Sequence, residues 1–252
     1  MNSKTILITG GTGLVGKALS QRLLQAGHSV IVLTRNPGKQ KPSHPQLTYA
    51  AWDVNAGTID GNAISQAHAI VHLAGAGVVD KPWTQAYKEE IVSSRVKSSE
   101  LIIKALQQYP NQVEVVVSAS AIGWYGADKA GHGPFVETDP PNRAFLGETC
   151  RLWEASILPV QQLGKRLVIC RIGIVLANEG GALPEFKKSL AFRVAGILGS
   201  GEQVVSWIHI NDLCSIFMKG ITDVNMQGVY NAVAPHPVTN RQLNLSLAKA
   251  MY

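Results

Sequence analysis

Residues 4 to 16 read Lys4-Thr5-Ile6-Leu7-Ile8-Thr9-Gly10-Gly11-Thr12-Gly13-Leu14-Val15-Gly16, and this stretch decides the fold. A short apolar run, Ile6 to Ile8, ends in a glycine turn, and a helical pattern over Lys17 to Leu24 follows at once. Gly10, Gly13 and Gly16 are spaced GxxGxxG, while Gly11, Gly13 and Gly16 also satisfy GxGxxG. The early glycines allow a tight turn and let the backbone approach a pyrophosphate; Gly16 lets the helix pack closely on its strand. The helix start offers unpaired N–H groups and the positive end of its dipole to phosphate. Strand, turn and helix in this order form the context a dinucleotide site requires, and Gly10, Thr12, Gly13, Leu14 and Val15 are its candidate contacts.

Working outward, strand and helix patterns alternate with short polar breaks. Ser29 to Thr34, Leu47 to Trp52 and Ala69 to Leu73 read as the next strands. Trp83 to Gln108 has helical periodicity, with Ile91, Val96, Leu101, Ile102 and Leu106 inward and Pro110 as its stop. Val113 to Val117 is a β-branched strand, Phe145 to Leu163 a helix stopped by Gly164, and Leu167 to Ile172 another strand. Alternation of this kind predicts an α/β fold of Rossmann type, a doubly wound parallel sheet with helices on both faces. The 252 residues are long enough for one such domain with a full core.

Composition narrows the functional classes. Hydrophobic residues make up 46% and charged ones 16%, far from a disordered composition. No apolar run approaches the roughly 20 residues needed to span a bilayer, and no signal peptide is visible, so no membrane partner is expected. Cys150, Cys170 and Cys214 are widely spaced and odd in number, which fits neither a disulfide framework nor a zinc site. That usage favours a reducing, cytoplasmic setting, and no metal is expected. The net charge of +6 is scattered along the chain, so nucleic acid is not an expected partner.

The second strand selects the cofactor. NAD-selective folds usually carry an acidic residue about 20 positions past the glycines, where it binds the ribose 2′-hydroxyl. Here that place holds Thr34 and Arg35, with Lys39 and Lys41 in the loop beyond. A guanidinium offers a planar fork of donors suited to a 2′-phosphate, which an aspartate would repel. The reading is NADP in preference to NAD; the alternative is that these cations form a solvated turn.

Further segments carry a recognisable pattern: Trp52-Asp53, His72-Leu73-Ala74-Gly75-Ala76, Ser118-Ala119-Ser120 after the fifth strand, Trp124-Tyr125-Gly126, Arg171 to Leu176, and Trp207 to Leu213. With the glycine turn they resemble the short-chain dehydrogenase/reductase superfamily in its extended, epimerase-like branch. The run 118–126, Phe145-Leu146 with Cys150 and Trp153-Glu154, Gly180 to Pro184, and Ser206 to His209 are similar to one atypical subfamily. That subfamily is the sugar-nucleotide epimerase-like "epimerase family protein" group, which brings no settled substrate. The resemblance implies that Asp53 sits near the adenine and that Leu73, Ala74 and Gly75 line the cofactor's ribose and pyrophosphate. It implies that Ser120 hydrogen-bonds the reacting oxygen, and that Arg171 is a cofactor contact where the sheet passes towards a substrate lobe.

One departure bears on mechanism. Typical members carry Tyr-x-x-x-Lys on the helix after this serine: the phenol moves the proton, and the lysine lowers its pKa and holds the nicotinamide ribose. Four-residue spacing places both on one helix face. Aligned on Glu154, this helix offers Leu146 and Cys150 instead, which supply neither a movable proton nor a fixed charge. Several replacements stay open. Tyr125 brings a phenol from the neighbouring loop or merely packs there; Cys150 is a nucleophile or a buried structural thiol; Glu137 or Glu148 acts as acid or base. His72 and His209 read as satisfied structural histidines.

The C-terminal third reads as a small substrate lobe built from about 175–205 and 232–252. Its glycine-rich loops, Gly180 to Pro184 and Gly196 to Gly201, flank a helical run from Phe186 to Phe192. Asn240 is the expected cap of a last helix, which runs to Tyr252 with no stop signal and implies truncation at the C-terminus. The whole reads as one NAD(P)-binding domain acting on an unknown small molecule, as a monomer or homodimer. Ser120 and Tyr125 are its catalytic candidates. The rival reading is a non-catalytic NADP(H)-binding sensor or regulatory protein.

Overall fold

The computed structural model describes residues 3–128, 133–190, 196, 197 and 199–251. The first half of the chain forms β1 (Thr5–Thr9), α1 (Leu14–Gln25), β2 (Ser29–Thr34), β3 (Leu47–Asp53), β4 (Thr58–Ile59), α2 (Gly61–Gln66), β5 (Ala69–His72) and α3 (Gln85–Gln108). There follow β6 (Val115–Ala121), α4 (Phe145–Ile157), β7 (Arg166–Ile172), β8 (Ile174–Ala177), β9 (Gly180–Gly181) and α5 (Ala182–Leu190). The last elements are β10 (Val204–Val205), β11 (Trp207–His209), α6 (Ile210–Thr222), β12 (Gly228–Ala232), β13 (Val238–Thr239) and α7 (Asn240–Met251).

Ile6, Leu7 and Ile8 are wholly buried because β1 lies in mid-sheet, covered on both faces. The eight-stranded sheet runs β12-β7-β6-β5-β1-β2-β3-β4, and only the β3–β4 pairing is antiparallel. Helices α1 and α6 cover one face through Leu19, Leu23, Leu213 and Phe217. The other is covered by α2 and α3 through Ile64, Leu101, Ile102 and Leu106. Since β1 pairs with β2 on one side and β5 on the other, the chain winds both ways from this point. Ligands in such folds bind in the crevice that this reversal opens at the strands' carboxyl ends.

The doubly wound reading holds, with local corrections. Thr84 caps α3 by accepting from the Tyr87 N–H at 3.2 Å, so the helix starts at Gln85 and leaves Trp83 in the loop. Val96 is only half-buried. The helix expected to reach Leu163 ends at Ile157, and residues 158–163 form a tighter 3₁₀ segment. Pro159 has no N–H to donate to the turn before it, which stops the α-helix. The fifth long strand of the sheet runs on to Ala121, so Ser118 and Ser120 lie within it instead of after it. Serine's weak strand preference is overridden by pairing in mid-sheet, where Ser120 stands opposite Arg171.

Near the C-terminus β10 pairs with β13, α5 packs against α7, and β8 joins β9 and β11 in a separate small sheet. Of the helical run expected from Phe186 to Phe192, residues 186–190 lie in α5; its last two residues and part of the Gly196–Gly201 loop fall outside the described residues, as does Tyr252. The cap of α7 is not Asn240. Thr239 Oγ1 accepts from the Gln242 N–H (3.1 Å), and the Thr239 N–H donates to Gln242 Oε1 (2.8 Å), a reciprocal capping box.

Phe217 is the largest wholly buried side chain and joins α6 to the α1 face. Phe217→Ala is expected to lower unfolding free energy by about 3–5 kcal/mol, read from urea denaturation.

Candidate dinucleotide and catalytic site

The glycine turn leaves β1 with Gly10 at φ +67°, a backbone region that favours glycine. A Cβ on Gly10 would lie 2.9 Å from the Leu73 carbonyl carbon, so the loops after β1 and β5 touch backbone to backbone. A Cβ on Gly16 would meet the Gly10 carbonyl oxygen and Gly11 Cα at 2.5 Å, which is why the helix can close on its strand. Gly13 is the N-cap residue of α1, and its N–H is bonded back to the Gly10 carbonyl at 3.0 Å.

A cavity of about 470 Å³ opens beside this turn. Gly10, Thr12, Arg35, Asp53, Ala74 and Gly75, six of the residues read from the sequence as cofactor contacts, line it together. Lys39, Asn55, Glu90, Ser93 and Ser94 line it as well. Lys39 was visible in the loop after the second strand, but nothing in the sequence marked the α3 residues, which arrive by long-range packing. Asp53 both lines the cavity and turns its own loop, with Oδ1 accepting from the Asn55 and Ala56 N–H groups at 2.8 and 3.1 Å. Arg35 is exposed at the rim. Leu14 instead lines a second cavity of about 610 Å³ on the α1–α6 side, with Lys17, Arg22 and Glu179. Val15 packs against the core, and Leu73 does so behind the cavity wall.

The wall is held by Thr9. Its Oγ1 accepts from the Leu73 and Ala74 N–H groups at 3.0 and 3.1 Å and lies 2.8 Å from His72 Nδ1. With both lone pairs taken, the Thr9 hydrogen goes to Nδ1. Ser98 and Ser99 give their own hydrogens to the Arg95 carbonyl, so they accept from His72 Nε2–H. The network therefore assigns a neutral Nε2–H imidazole. Burial, assisted by the Arg95 charge, pushes its pKa down to about 3. His209, by contrast, is an exposed N-cap of α6, its Nδ1 accepting from the Asn211 N–H.

Ser120 is buried, and its hydroxyl donates to Glu154 Oε1 at 2.6 Å. Glu154 forms a buried two-pronged ion pair with Arg171: Nε to Oε1 at 2.9 Å and Nη2 to Oε2 at 3.0 Å. Arg171 Nη1 donates to the Tyr125 hydroxyl and the Glu137 carbonyl, both at 3.0 Å, and the guanidinium lies 3.7 Å from the centre of the Trp124 ring. Burial opposes the Arg171 charge, but the hydrogen bonds to Glu154 and Tyr125 outweigh it and hold its pKa above the ordinary value. Arg171 is thus placed against Glu154 and Tyr125, and does not line the cavity. The Tyr125 hydroxyl gives its hydrogen to Asn231 Oδ1 at 2.6 Å, and its ring stacks on Phe135.

Leu146 and Cys150 do fall beside Ser120's strand. A Cβ on Gly123 would meet Leu146 Cβ at 3.3 Å and Cys150 Sγ at 3.7 Å. Burial pushes the Cys150 thiol up, away from the thiolate form, and its hydrogen reaches the Ala121 carbonyl at 3.5 Å. Burial likewise raises Cys170 to about 12 and Cys214 to about 11. Of the alternative acids, Glu148 is bound to Arg151 on the surface, while Glu137 Oε1 accepts from the Asn231 N–H. One spacing escaped the sequence reading: Tyr125-Gly-Ala-Asp-Lys129 is itself Tyr-x-x-x-Lys. Its described part, residues 125–128, is not helical, because Gly126 turns the chain at φ +78°, and Lys129 lies outside the described residues. Among the described residues no three His, Cys, Asp or Glu side chains gather as metal ligands, and no helix is long and apolar enough to cross a membrane.

A glycine turn at the switch point, an adjoining cavity and a serine on the next strand but one define a Rossmann-type dinucleotide-binding protein of the extended short-chain dehydrogenase/reductase kind. The chain belongs to the NAD dependent epimerase/dehydratase family, whose model matches residues 6–149. It is 35% identical over 250 residues to the epimerase family protein SSP1921 of Staphylococcus saprophyticus, covering 99% of this chain and 81% of that one. Among solved structures it resembles the nucleoside-diphosphate sugar epimerase from Corynebacterium glutamicum (TM-score 0.83, 34% identity), covering 99% of this chain and half of that chain (50%). It also resembles human epimerase family protein SDR39U1 (isoform 2), solved with NADPH (TM-score 0.82, 28% identity), covering 98% of this chain and 80% of that one.

The His72 assignment carries a pH dependence. Above pH 6.5 the residue is neutral in both folded and unfolded chains. Between 6.5 and about 3 only the unfolded chain takes the proton, so stability falls as pH falls. The slope contributed is up to about 1.4 kcal/mol per pH unit. Urea midpoints of the wild type measured across this range should drop more steeply than those of His72→Gln.

Proposed function

We propose that this chain binds NADP(H) in the cavity after β1 and acts as an epimerase- or reductase-like enzyme on a small molecule. The observation that carries the cofactor reading is Arg35 at the rim of the cavity, with Lys39 beside it, where an acidic residue would select NAD. The NADPH in the human relative's structure supports the same choice. Backbone meets backbone at Gly10 and Gly16, and α1 has no side-chain cap on its N-terminus, which suits the turn to a pyrophosphate.

When bound, the cofactor supplies or takes up hydride at the reacting carbon. This chain's residues do the rest. Ser120, with its hydrogen committed to Glu154, presents lone pairs and is set to accept a hydrogen bond from a carbinol. Donation to a carbonyl requires that hydrogen to leave Glu154. Tyr125 is less suited to move a proton, because Arg171 and Asn231 occupy its hydroxyl. This last point favours a second reading, a non-catalytic NADP(H)-binding sensor.

Fluorescence titration tests the cofactor choice. Arg35→Ala should weaken NADPH about 10- to 100-fold, the loss of a charge-assisted pair worth roughly 1.5–3 kcal/mol. NADH should change little; preference for NADH in the wild type overturns the reading. Oxidation of NADPH against a panel of carbonyl compounds separates enzyme from sensor. Turnover that falls at least 100-fold in Ser120→Ala supports catalysis, on the order expected for a group holding the reacting oxygen. Tight binding without turnover across the panel supports the sensor.

A further inference from the structure

The turn that follows Ser120 is flanked by carbon. Gly123 stands against the half-buried Leu146 of α4, whose Cβ a Gly123 side chain would meet at 3.3 Å. One residue earlier on the helix, Phe145 takes the edge of the Trp83 ring, with ring centres 5.2 Å apart. Trp83 ends the loop whose first residues, Ala74 to Ala76, line the dinucleotide cavity. The aromatic pair therefore joins the loop that walls the cavity to the helix that flanks Ser120's turn. It is open to solvent: Trp83 is 45% exposed, and Val79 on the same loop is 92% exposed.

The aromatic residues on both sides of the turn have their polar atoms bonded already. Trp83 Nε1 donates to the Val78 carbonyl at 2.7 Å, and Trp124 Nε1 to the Asp139 carbonyl at 2.8 Å. The Tyr125 hydroxyl is held by Asn231, and its ring lies 5.0 Å from that of Phe135, beside the half-exposed Val136. Even the nearest cation, Lys88, lies over the Phe145 ring, 5.4 Å from its centre. What these groups offer a ligand is ring surface and aliphatic carbon. A polyhydroxylated molecule pressed against them would leave hydroxyl groups without partners, at a cost for each. A flat apolar molecule would bury area and stack. Sites for such molecules are mostly carbon, with a few polar atoms to fix orientation, and here Ser120 Oγ is that atom.

We infer that the substrate is a flat, largely apolar carbonyl or carbinol compound, seated against Trp83, Phe145 and Leu146 with its oxygen at Ser120. A sugar nucleotide does not suit this surface. The inference names the substrate class for the enzyme reading above and rests on that reading's cofactor cavity and serine.

Binding to the protein loaded with NADP⁺ tests it without turnover, because a ketone and the oxidised cofactor do not react. In calorimetric titrations 2-acetonaphthone should bind more tightly than UDP-glucose. Trp83→Ala should weaken the ketone about tenfold, the loss of one ring contact, and leave NADP⁺ binding within about twofold. Trp83→Phe keeps a ring and should stay near the wild type. A ketone that binds no better than UDP-glucose, or that is indifferent to Trp83→Ala, overturns the assignment. Should Trp83→Ala fail to fold, Leu146→Asn replaces it: selective loss of the ketone supports the assignment, and unchanged binding overturns it. A wild type that prefers NAD⁺ is titrated as that complex, with the same outcomes. Failure to bind either cofactor refutes the dinucleotide reading itself, a result distinct from a loaded protein that ignores the ketone.

Discussion

The site hangs on one hydroxyl. Thr9 ends β1 opposite His72 of β5, and its oxygen ties the Leu73–Ala74 backbone to the strand that feeds the glycine turn. The arrangement has no slack: two backbone donors fill the oxygen, and the hydrogen needs an acceptor that never charges at neutral pH. His72 is that acceptor only because burial keeps it neutral and two serines of α3 fix its other nitrogen. The tie sets the gap between the two loops, and Gly10 is glycine because that gap is smaller than a Cβ.

Hydrogen direction shapes the Ser120 side too. From Ser120 to Glu154, from Arg171 to Glu154 and Tyr125, and from Tyr125 to Asn231, every donor is assigned. A phenol in this chain of bonds is a structural post before it is an acid. The segment carrying Glu137 closes over it, the Glu137 carbonyl taking Arg171 and the Glu137 side chain taking the Asn231 N–H. Cys150 and Leu146 meet the adjoining turn as packing.

Much of this was legible in the chain. Three glycines between a strand and a helix located the turn beside the cavity, and alternating apolar runs gave the order of the main elements. The place of Arg35 beside the cavity was readable because it has a fixed relation to the glycines. What was hidden depends on long-range pairing. Ser120 belongs to a strand because Arg166–Ile172 pairs with it, a fact no local propensity carries. Glu90, Ser93 and Ser94 reach the cavity from a helix whose pattern reports only its inward face.

The buried Glu154–Arg171 pair is not explained by stability. Two charges removed from water recover that cost only with good geometry, and an apolar pair of similar volume often does as well or better. An apolar pair, however, would leave the Ser120 hydroxyl free to rotate and the Tyr125 oxygen without its donor. A carboxylate held by two guanidinium nitrogens is a fixed acceptor, and a fixed acceptor gives Ser120 one orientation. The pair therefore acts on direction more than on folding energy. It holds the serine's lone pairs in place on a strand whose own backbone hydrogen bonds do nothing to aim a side chain.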